Sequence, residues 1–147
     1  MTNNIERRIA HEFKNKEYDF KYEDSKVVNN CIVKLYDNNN IYTFKLTMNY
    51  PFQPPVLFYK NNRQINYNSG TIPNKLLNNY IQQYGKCPCC TSLLCPLNWT
   101  PGYKLQDIIN EYDVIKDKIV MCQRKRMFKN IQTIPGEIVD HILSFCA

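Results

Sequence analysis

One short stretch of the chain concentrates the residues most capable of chemistry. Four of the seven cysteines lie within nine positions, in KCPCCTSLLCP at residues 86–96. A thiolate is a strong nucleophile and a good metal ligand, and two thiols can join in a disulfide. The stretch is therefore compatible with a nucleophilic cysteine, a structural zinc site, a disulfide or simple buried packing. The four cysteines are Cys87, Cys89, Cys90 and Cys95.

The spacing of these cysteines allows a zinc site. Cys87 and Cys90 form a Cys-x-x-Cys pair, and Cys95 is a further available ligand. Tetrahedral zinc takes four such donors, commonly from two pairs well separated in sequence. Four cysteines within nine residues can surround one ion only in a tight loop, and adjacent Cys89 and Cys90 would point in different directions. One possible arrangement uses Cys87, Cys89 and Cys95 with a fourth ligand and leaves Cys90 free. Remote thiols available as the fourth ligand are Cys31 and Cys122.

The N-terminal sequence, the hydropathy and the net charge limit the cellular compartments and the classes of binding partner that we expect. The N-terminal MTNNIERRIAHEF carries charges where a signal peptide needs an apolar run, and no stretch approaches the ~20 apolar residues of a membrane span. We therefore expect an intracellular protein, cytoplasmic or nuclear, in which an odd number of thiols stays reduced and no membrane is a partner. The formal charge of +6 is modest. It is typical of a solvated surface, and nucleic acid is not expected as a partner.

The hydrophobic pattern predicts the elements that must position the cysteines. A four-residue spacing of apolar residues predicts a helix over 4–14, and alternation predicts strands over 31–36 and 42–48, with Met48 on the apolar face of the second. Prolines 51–55 predict a rigid crossing segment before a short strand at 56–59. Further helices are predicted over 76–84, ended by Gly85, from Lys104 to about Asn130, and from Thr133 onward. The predicted class is α+β, in a single domain spanning 1–147.

Two segments in this order carry a resemblance to a known family. YPFQPP at 50–55 and NWTPGYKLQDII at 98–109, flanked by these elements, make the chain resemble the ubiquitin-conjugating enzymes, with an Asn-rich composition like that of a large DNA virus's version of the family. The resemblance covers about 5–112 and leaves 113–147 as a divergent helical part. It implies an N-terminal helix on a small antiparallel sheet, followed by C-terminal helices.

The resemblance also implies roles for particular residues. In the family the catalytic cysteine lies eight to ten residues before the tryptophan, which favours Cys90, nine before Trp99, and keeps Cys89 in contention. Cys90 would accept ubiquitin or a ubiquitin-like modifier as a thioester from an activating enzyme and, with a ubiquitin ligase, pass it to a lysine. Asn68, in Asn66-Tyr67-Asn68, would take the place of the asparagine that stabilises the oxyanion. An asparagine that simply serves a turn is the alternative for Asn68.

Three features depart from the family pattern. The His-Pro that precedes the family's asparagine is missing, 22 positions separate Asn68 from Cys90, and the acidic loop after Trp99 is absent. A non-catalytic variant of the fold therefore remains the alternative, one that binds ubiquitin or a ligase component and whose cysteines hold zinc. An adaptor domain without any link to ubiquitin is a more distant one. No cofactor other than this zinc is expected. At the C-terminus, IPGEIVDHILSF at 134–145 resembles the opening of an F-box or forms an amphipathic helix packed on its own domain.

Overall fold

One antiparallel sheet and four helices make up the computed structural model, which describes residues 4–14, 19–25, 30–68 and 70–130. The predicted α+β class is confirmed. The helices are α1 Asn4–Glu12, α2 Asn74–Tyr84, α3 Pro88–Thr91 and α4 Leu105–Asn130. The strands are β1 Asp19–Ser25, β2 Asn30–Asp37, β3 Asn40–Thr47, β4 Leu57–Lys60 and β5 Arg63–Gln64.

The sheet is a meander in which each strand pairs with the next one along the chain. The predicted central hairpin is confirmed: β2 and β3 pair antiparallel with Val33 opposite Phe44, and both side chains are fully buried. Asn38, in the tight turn between them, has φ 48°, a left-handed conformation that asparagine tolerates better than most residues. Alternate residues of both strands therefore face one core, as period-2 patterning requires.

The prediction that Met48 continues the apolar face of β3 is wrong. The strand ends at Thr47, and residues 48–52 form turns. The backbone N–H of Tyr50 donates to the carbonyl oxygen of Thr47 at 3.2 Å, so the chain has left the extended conformation by this point. Met48 is consequently 49% exposed. The next residue buried against the core is Tyr50.

Two hydrophobic clusters share the long helix α4. The first joins α1, the sheet and the start of α4, for example through Ile9, Phe44 and Ile108. The second packs α2 against the later part of α4, with Tyr80 near Cys122. With 26 residues α4 is about 39 Å long, which lets one helix support both clusters. The helix predicted from Lys104 to about Asn130 is thus confirmed.

The shorter predicted helix is also confirmed, together with its end. Helix α2 stops before Gly85, which has φ 87° and donates its backbone N–H to the carbonyl oxygen of Ile81 at 2.8 Å. A left-handed residue at this position favours glycine, because a Cβ is strained there. The helix predicted from Thr133, with its F-box-like sequence, lies outside the described residues. None of the helices in the described ranges combines the length and apolarity needed to cross a bilayer.

Candidate functional site

The two proline-containing segments 50–55 and 98–101 are in direct contact. The indole Nε1–H of Trp99 donates to the carbonyl oxygen of Pro51 at 2.8 Å, and the ring of Trp99 lies 6.1 Å from that of Tyr50. Trp99 and Tyr50 are both buried. The proline crossing (residues 51–55) is therefore in contact with the end of the cysteine loop (residues 86–101) and supports it.

Glu12 joins three elements around this support. Its carboxylate is buried and accepts hydrogen bonds from the Tyr50 hydroxyl at 2.7 Å and from the backbone N–H of Leu105 at 2.8 Å. Arg8 pairs with the same carboxylate at 3.2 Å and also donates to the carbonyl oxygen of Pro101 at 2.8 Å. Because Leu105 is the first residue of α4, Glu12 fixes the end of α1, the proline crossing and the start of α4 relative to one another.

Two side chains hold the segment that directly follows Cys90. Glu111, on α4, accepts hydrogen bonds from the Ser92 hydroxyl at 2.6 Å and from the backbone N–H of Leu93 at 2.9 Å. Asn98 donates its amide to the carbonyl oxygens of Cys90 at 2.8 Å and Ser92 at 3.0 Å. The backbone of Cys90 is therefore fixed from the side of Trp99. Sequence reasoning missed both roles: only the position of Asn98, directly before Trp99, was a signal, and Glu111 gave none.

Three thiols form a compact cluster at the start of helix α3, with Cys87 directly before the helix and Cys89 and Cys90 within it. The Sγ atom of Cys87 lies 2.7 Å from that of Cys90 and 3.2 Å from that of Cys89, and the Sγ atoms of Cys89 and Cys90 are 3.9 Å apart. Cys90 is exposed, whereas Cys87 and Cys89 are half-buried. The shortest distance exceeds the roughly 2.05 Å of a disulfide bond, so these are contacts between free thiols.

The other described cysteines lie outside this cluster. Cys95 is half-buried, and its Sγ is not among the ligand atoms that approach one another within 4.8 Å. Cys31 is buried in the sheet, with Sγ 3.8 Å from the carbonyl oxygen of Leu46, and Cys122 is buried in the cluster between α2 and α4. The group that the structure brings together is thus Cys87, Cys89 and Cys90, which differs from the predicted ligand set of Cys87, Cys89 and Cys95.

The three thiols do not ionise alike. Hydrogen bonds with Cys90 and Cys89 lower the pKa of Cys87 below its ordinary value. Its contact with Cys87, together with burial, raises the pKa of Cys89 to about 11. The hydrogen bond with Cys87 also raises the pKa of Cys90. The first proton lost from the cluster therefore leaves one negative charge that the neighbouring thiols stabilise, and the second proton is harder to remove.

A polar cavity beside the cysteine loop contains the predicted asparagine. The cavity has a volume of about 380 Å³ and is lined by Asn68, Cys89 and Cys95 among others. Asn66 orders this wall, because its side-chain oxygen accepts from the backbone N–H of Asn68 at 3.3 Å. Asn68 is exposed, and within the described residues its side chain makes no hydrogen bond. Cys90 is not among the residues that line this cavity.

Helix α2 lies in the segment between Asn68 and Cys90, and its buried residues are not among those that line the cavity. Leu76 and Tyr80 pack in the second cluster, with Ile115 and Cys122 of α4. This segment therefore forms the second core together with α4, while β4, β5 and the cysteine loop contribute the walls of the cavity.

Comparisons with known proteins returned no match for this chain, neither among protein-family models nor among curated proteins nor among solved structures.

Proposed function

We propose that this chain is a ubiquitin-conjugating enzyme of divergent sequence, in which Cys90 carries ubiquitin or a ubiquitin-like modifier as a thioester. The observation that supports the proposal most is the Trp99–Pro51 hydrogen bond, which joins the two segments that carry the family resemblance. It places the cysteine loop directly beside the proline crossing. Cys90, the exposed thiol of the cluster, lies on that loop.

The proposed reaction is a transfer between thiols followed by a transfer to an amine. The Cys90 thiolate attacks the thioester carbonyl of ubiquitin bound to the activating enzyme, and the thiol of that enzyme leaves. A lysine amine of the substrate, brought close by a ligase, then attacks the new thioester and releases Cys90. Exposure suits Cys90 to this role, because the modifier and the lysine must both reach its sulfur.

Asn68 has a supporting role in this proposal. Its exposed side chain lies on the cavity wall beside the cysteine loop, with an amide that no other described residue engages. During either attack the carbonyl oxygen gains negative charge, and an amide donor aimed at that oxygen stabilises it. We infer that Asn68 contributes to transfer more than to the folding of its own loop, whose Asn66 provides the structural hydrogen bond.

A charging assay tests the proposal directly. The protein is incubated with an activating enzyme, ATP and ubiquitin, and a gel without reductant is inspected for a band heavier by one ubiquitin. We expect that band in the wild type and in Cys87→Ala, its loss in Cys90→Ala, and its removal from the wild type by a thiol reductant. In Cys90→Ser we expect an ester that resists the reductant. A band that persists in Cys90→Ala would sink the assignment of Cys90.

Asn68→Ala isolates the second residue. We expect this variant to form the thioester and to transfer ubiquitin to lysine, both more slowly than the wild type, since an oxyanion develops in each step and only its stabilisation is removed. Asn78→Ala is the matched control, because Asn78 is an exposed asparagine on α2. Equal transfer rates in the two variants would leave Asn68 as a turn residue.

The second candidate function is a zinc-stabilised module that binds ubiquitin or a ligase component without catalysis. The observation that favours it is the mutual approach of the Cys87, Cys89 and Cys90 sulfur atoms to within 4.8 Å. Thiolates are preferred zinc ligands, and a fourth donor would complete a tetrahedral site. Stoichiometric zinc that is lost in Cys90→Ala, together with the absence of charging in the wild type, would establish the module and exclude the enzyme.

A further inference from the structure

The Cys87 and Cys90 pair has the geometry of a reversible dithiol site. Their Sγ atoms are 2.7 Å apart, so they approach to within about 0.7 Å of the length of a disulfide bond. A backbone hydrogen bond also keeps the two cysteines close together: the N–H of Cys90 donates to the carbonyl oxygen of Cys87 at 3.2 Å. A turn closed in this way keeps its end Cα atoms within about 7 Å, close to the range that a disulfide spans.

The surroundings of the pair restrict movement and allow access. Pro88, between the two cysteines, is buried and fixes the start of α3, and Asn98 holds the carbonyl oxygen of Cys90 at 2.8 Å. Cys90 is exposed and Cys87 is half-buried. An oxidant that arrives from solvent therefore reaches the Cys90 sulfur first and finds the Cys87 sulfur already in contact with it.

We propose that Cys87 and Cys90 form a reversible disulfide when the protein meets a peroxide. The Cys90 thiol gives up its proton, and the resulting thiolate attacks one oxygen of hydrogen peroxide, which gives a sulfenic acid and a hydroxide that takes up the proton to become one molecule of water. The Cys87 thiol then attacks the Cys90 sulfur, the S–S bond forms, and the hydroxyl group leaves as a second water. Two thiols lose two electrons and two protons in total, and the peroxide takes them up. A dithiol reductant reverses the change by thiol–disulfide exchange.

A reversible disulfide at this site is compatible with cysteines that are reduced in the absence of an oxidant. Intracellular disulfides are mostly transient and serve catalysis or redox sensing, in contrast to those of secreted frameworks. If the proposed function holds, the disulfide has a direct consequence: Cys90 cannot accept ubiquitin while it is bonded to Cys87. The bond also protects Cys90 from irreversible oxidation, because Cys87 traps the sulfenic acid before more peroxide reacts.

The first arm of the test concerns the bond alone and is independent of any activity. The full chain is freed of metal with a chelator and treated with hydrogen peroxide, and intact mass and peptide mapping follow the thiols. We expect the loss of two hydrogens, mapped to a bond between Cys87 and Cys90, and recovery with a dithiol. Cys89→Ala should form the same bond. Cys87→Ala should instead accumulate the sulfenic acid of Cys90, which a sulfenic-acid-specific probe labels.

The outcomes separate this inference from the proposed function. A bond that maps to Cys89, or the absence of any disulfide in the metal-free wild type while Cys90 is oxidised further, would overturn the inference. In the second arm the oxidised protein is offered activating enzyme and ubiquitin. We expect charging to be lost and to return after reduction. If the disulfide forms reversibly but the protein never forms a ubiquitin thioester, the inference holds and the proposed function is wrong. If the thioester forms but the disulfide does not, the proposed function holds and the inference is wrong.

Discussion

Trp99 donates its indole N–H to the carbonyl oxygen of Pro51 across 48 positions of the chain, at 2.8 Å. Proline constrains the backbone around it, and a carbonyl oxygen in such a segment cannot turn easily toward another donor. The tryptophan is thus more than a buried ring. It fixes the distance between the proline crossing and the end of the cysteine loop.

Replacing this donor should loosen the contact between the two segments. Trp99→Phe keeps an aromatic ring but removes the hydrogen bond and leaves the Pro51 carbonyl oxygen without this donor, at a cost of about 1–3 kcal/mol. Unfolding in urea, followed by circular dichroism, measures the loss. Leu97→Ala is the control, because Leu97 is 93% exposed and its truncation should change stability by about 0.5 kcal/mol at most. Equal stability of Trp99→Phe and the wild type would show that the hydrogen bond contributes little.

The sequence predicts those elements whose pattern reflects a face buried against the core. Strands β2 and β3 alternate apolar and polar residues, and α2 ends at a glycine with positive φ, so both were predictable. Strand β1, DFKYEDS, has a largely polar sequence that gives no such signal. It exists because it pairs with β2 along its whole length, from Asp19 opposite Tyr36 to Ser25 opposite Asn30.

The site was only partly predictable, because a local sequence pattern does not encode contacts between distant segments. The residue types and spacing predicted Cys87, Cys89, Cys90 and Cys95 as candidates for chemistry, and the structure brings together the sulfur atoms of the three that lie closest in sequence. The contact of Glu111 with Ser92 joins residues 19 positions apart on a helix and a loop. Such a contact depends on how α4 crosses the loop, and no local pattern encodes that crossing.

Glu12 and Tyr50 should show strong energetic coupling. Burial and the adjacent Glu12 carboxylate raise the pKa of Tyr50 well above its ordinary value, so the phenol stays a donor across the neutral range. We expect Tyr50→Phe to destabilise the fold by about 1–2 kcal/mol, because a buried carboxylate loses one of its donors. A double-mutant cycle with Glu12→Gln, measured by urea unfolding, should give a coupling energy between 0.5 and about 3 kcal/mol.

The control for this cycle is Tyr103→Phe. Tyr103 also packs near Trp99, at 5.7 Å between ring centroids, but its side chain is 37% exposed. Its hydroxyl group should therefore show no coupling to Glu12. Additive effects of Tyr50→Phe and Glu12→Gln would contradict the role assigned to Glu12 as the junction of α1, the proline crossing and α4.

Glu111 should make stability fall as the pH rises. Burial raises the pKa of Glu111 above its ordinary value, although hydrogen bonds from Ser92 and Leu93 oppose the shift. Between the unfolded-state pKa, about 4.3, and the raised native value, the native protein holds more protons than the unfolded chain. This contribution to stability is fully present below about pH 4.3 and is lost as the pH rises through the native pKa.

Two variants check this sign. The free energy of unfolding is measured from acid to neutral pH for the wild type and each variant. Glu111→Gln also weakens the contact with the loop and so lowers stability at every pH. The comparison is therefore made between the slopes of the unfolding free energy against pH. In Glu111→Gln we expect the decrease of the unfolding free energy with rising pH that Glu111 causes to disappear. Ser92→Ala should extend it to higher pH, since it removes a hydrogen bond that lowers the Glu111 pKa. A wild-type protein that gains stability relative to Glu111→Gln over this range would contradict the assigned shift.

The thiol cluster should reveal itself by the order in which its members react with an alkylating agent. Only the thiolate reacts, so the rate follows the ionised fraction together with access. With a pKa of about 11, Cys89 is ionised in only about one molecule in a thousand at pH 8, whereas the pKa of Cys87 is lowered. We therefore expect iodoacetamide to modify Cys87 before Cys89, as measured by peptide mass spectrometry at several times and pH values. The two cysteines are both half-buried, so access does not separate them.

The cause of the difference can be tested within the same experiment. Cys90→Ala removes the largest contribution that lowers the Cys87 pKa, so the pH at which Cys87 alkylation reaches half its maximal rate should rise. In the urea-unfolded chain the hydrogen bonds between the sulfur atoms are gone, and the reactivities of Cys87 and Cys89 should converge. An unchanged Cys87 profile in Cys90→Ala would mean that the 2.7 Å contact does not form in solution, and with it the geometric basis for a bond between these two sulfur atoms would be lost.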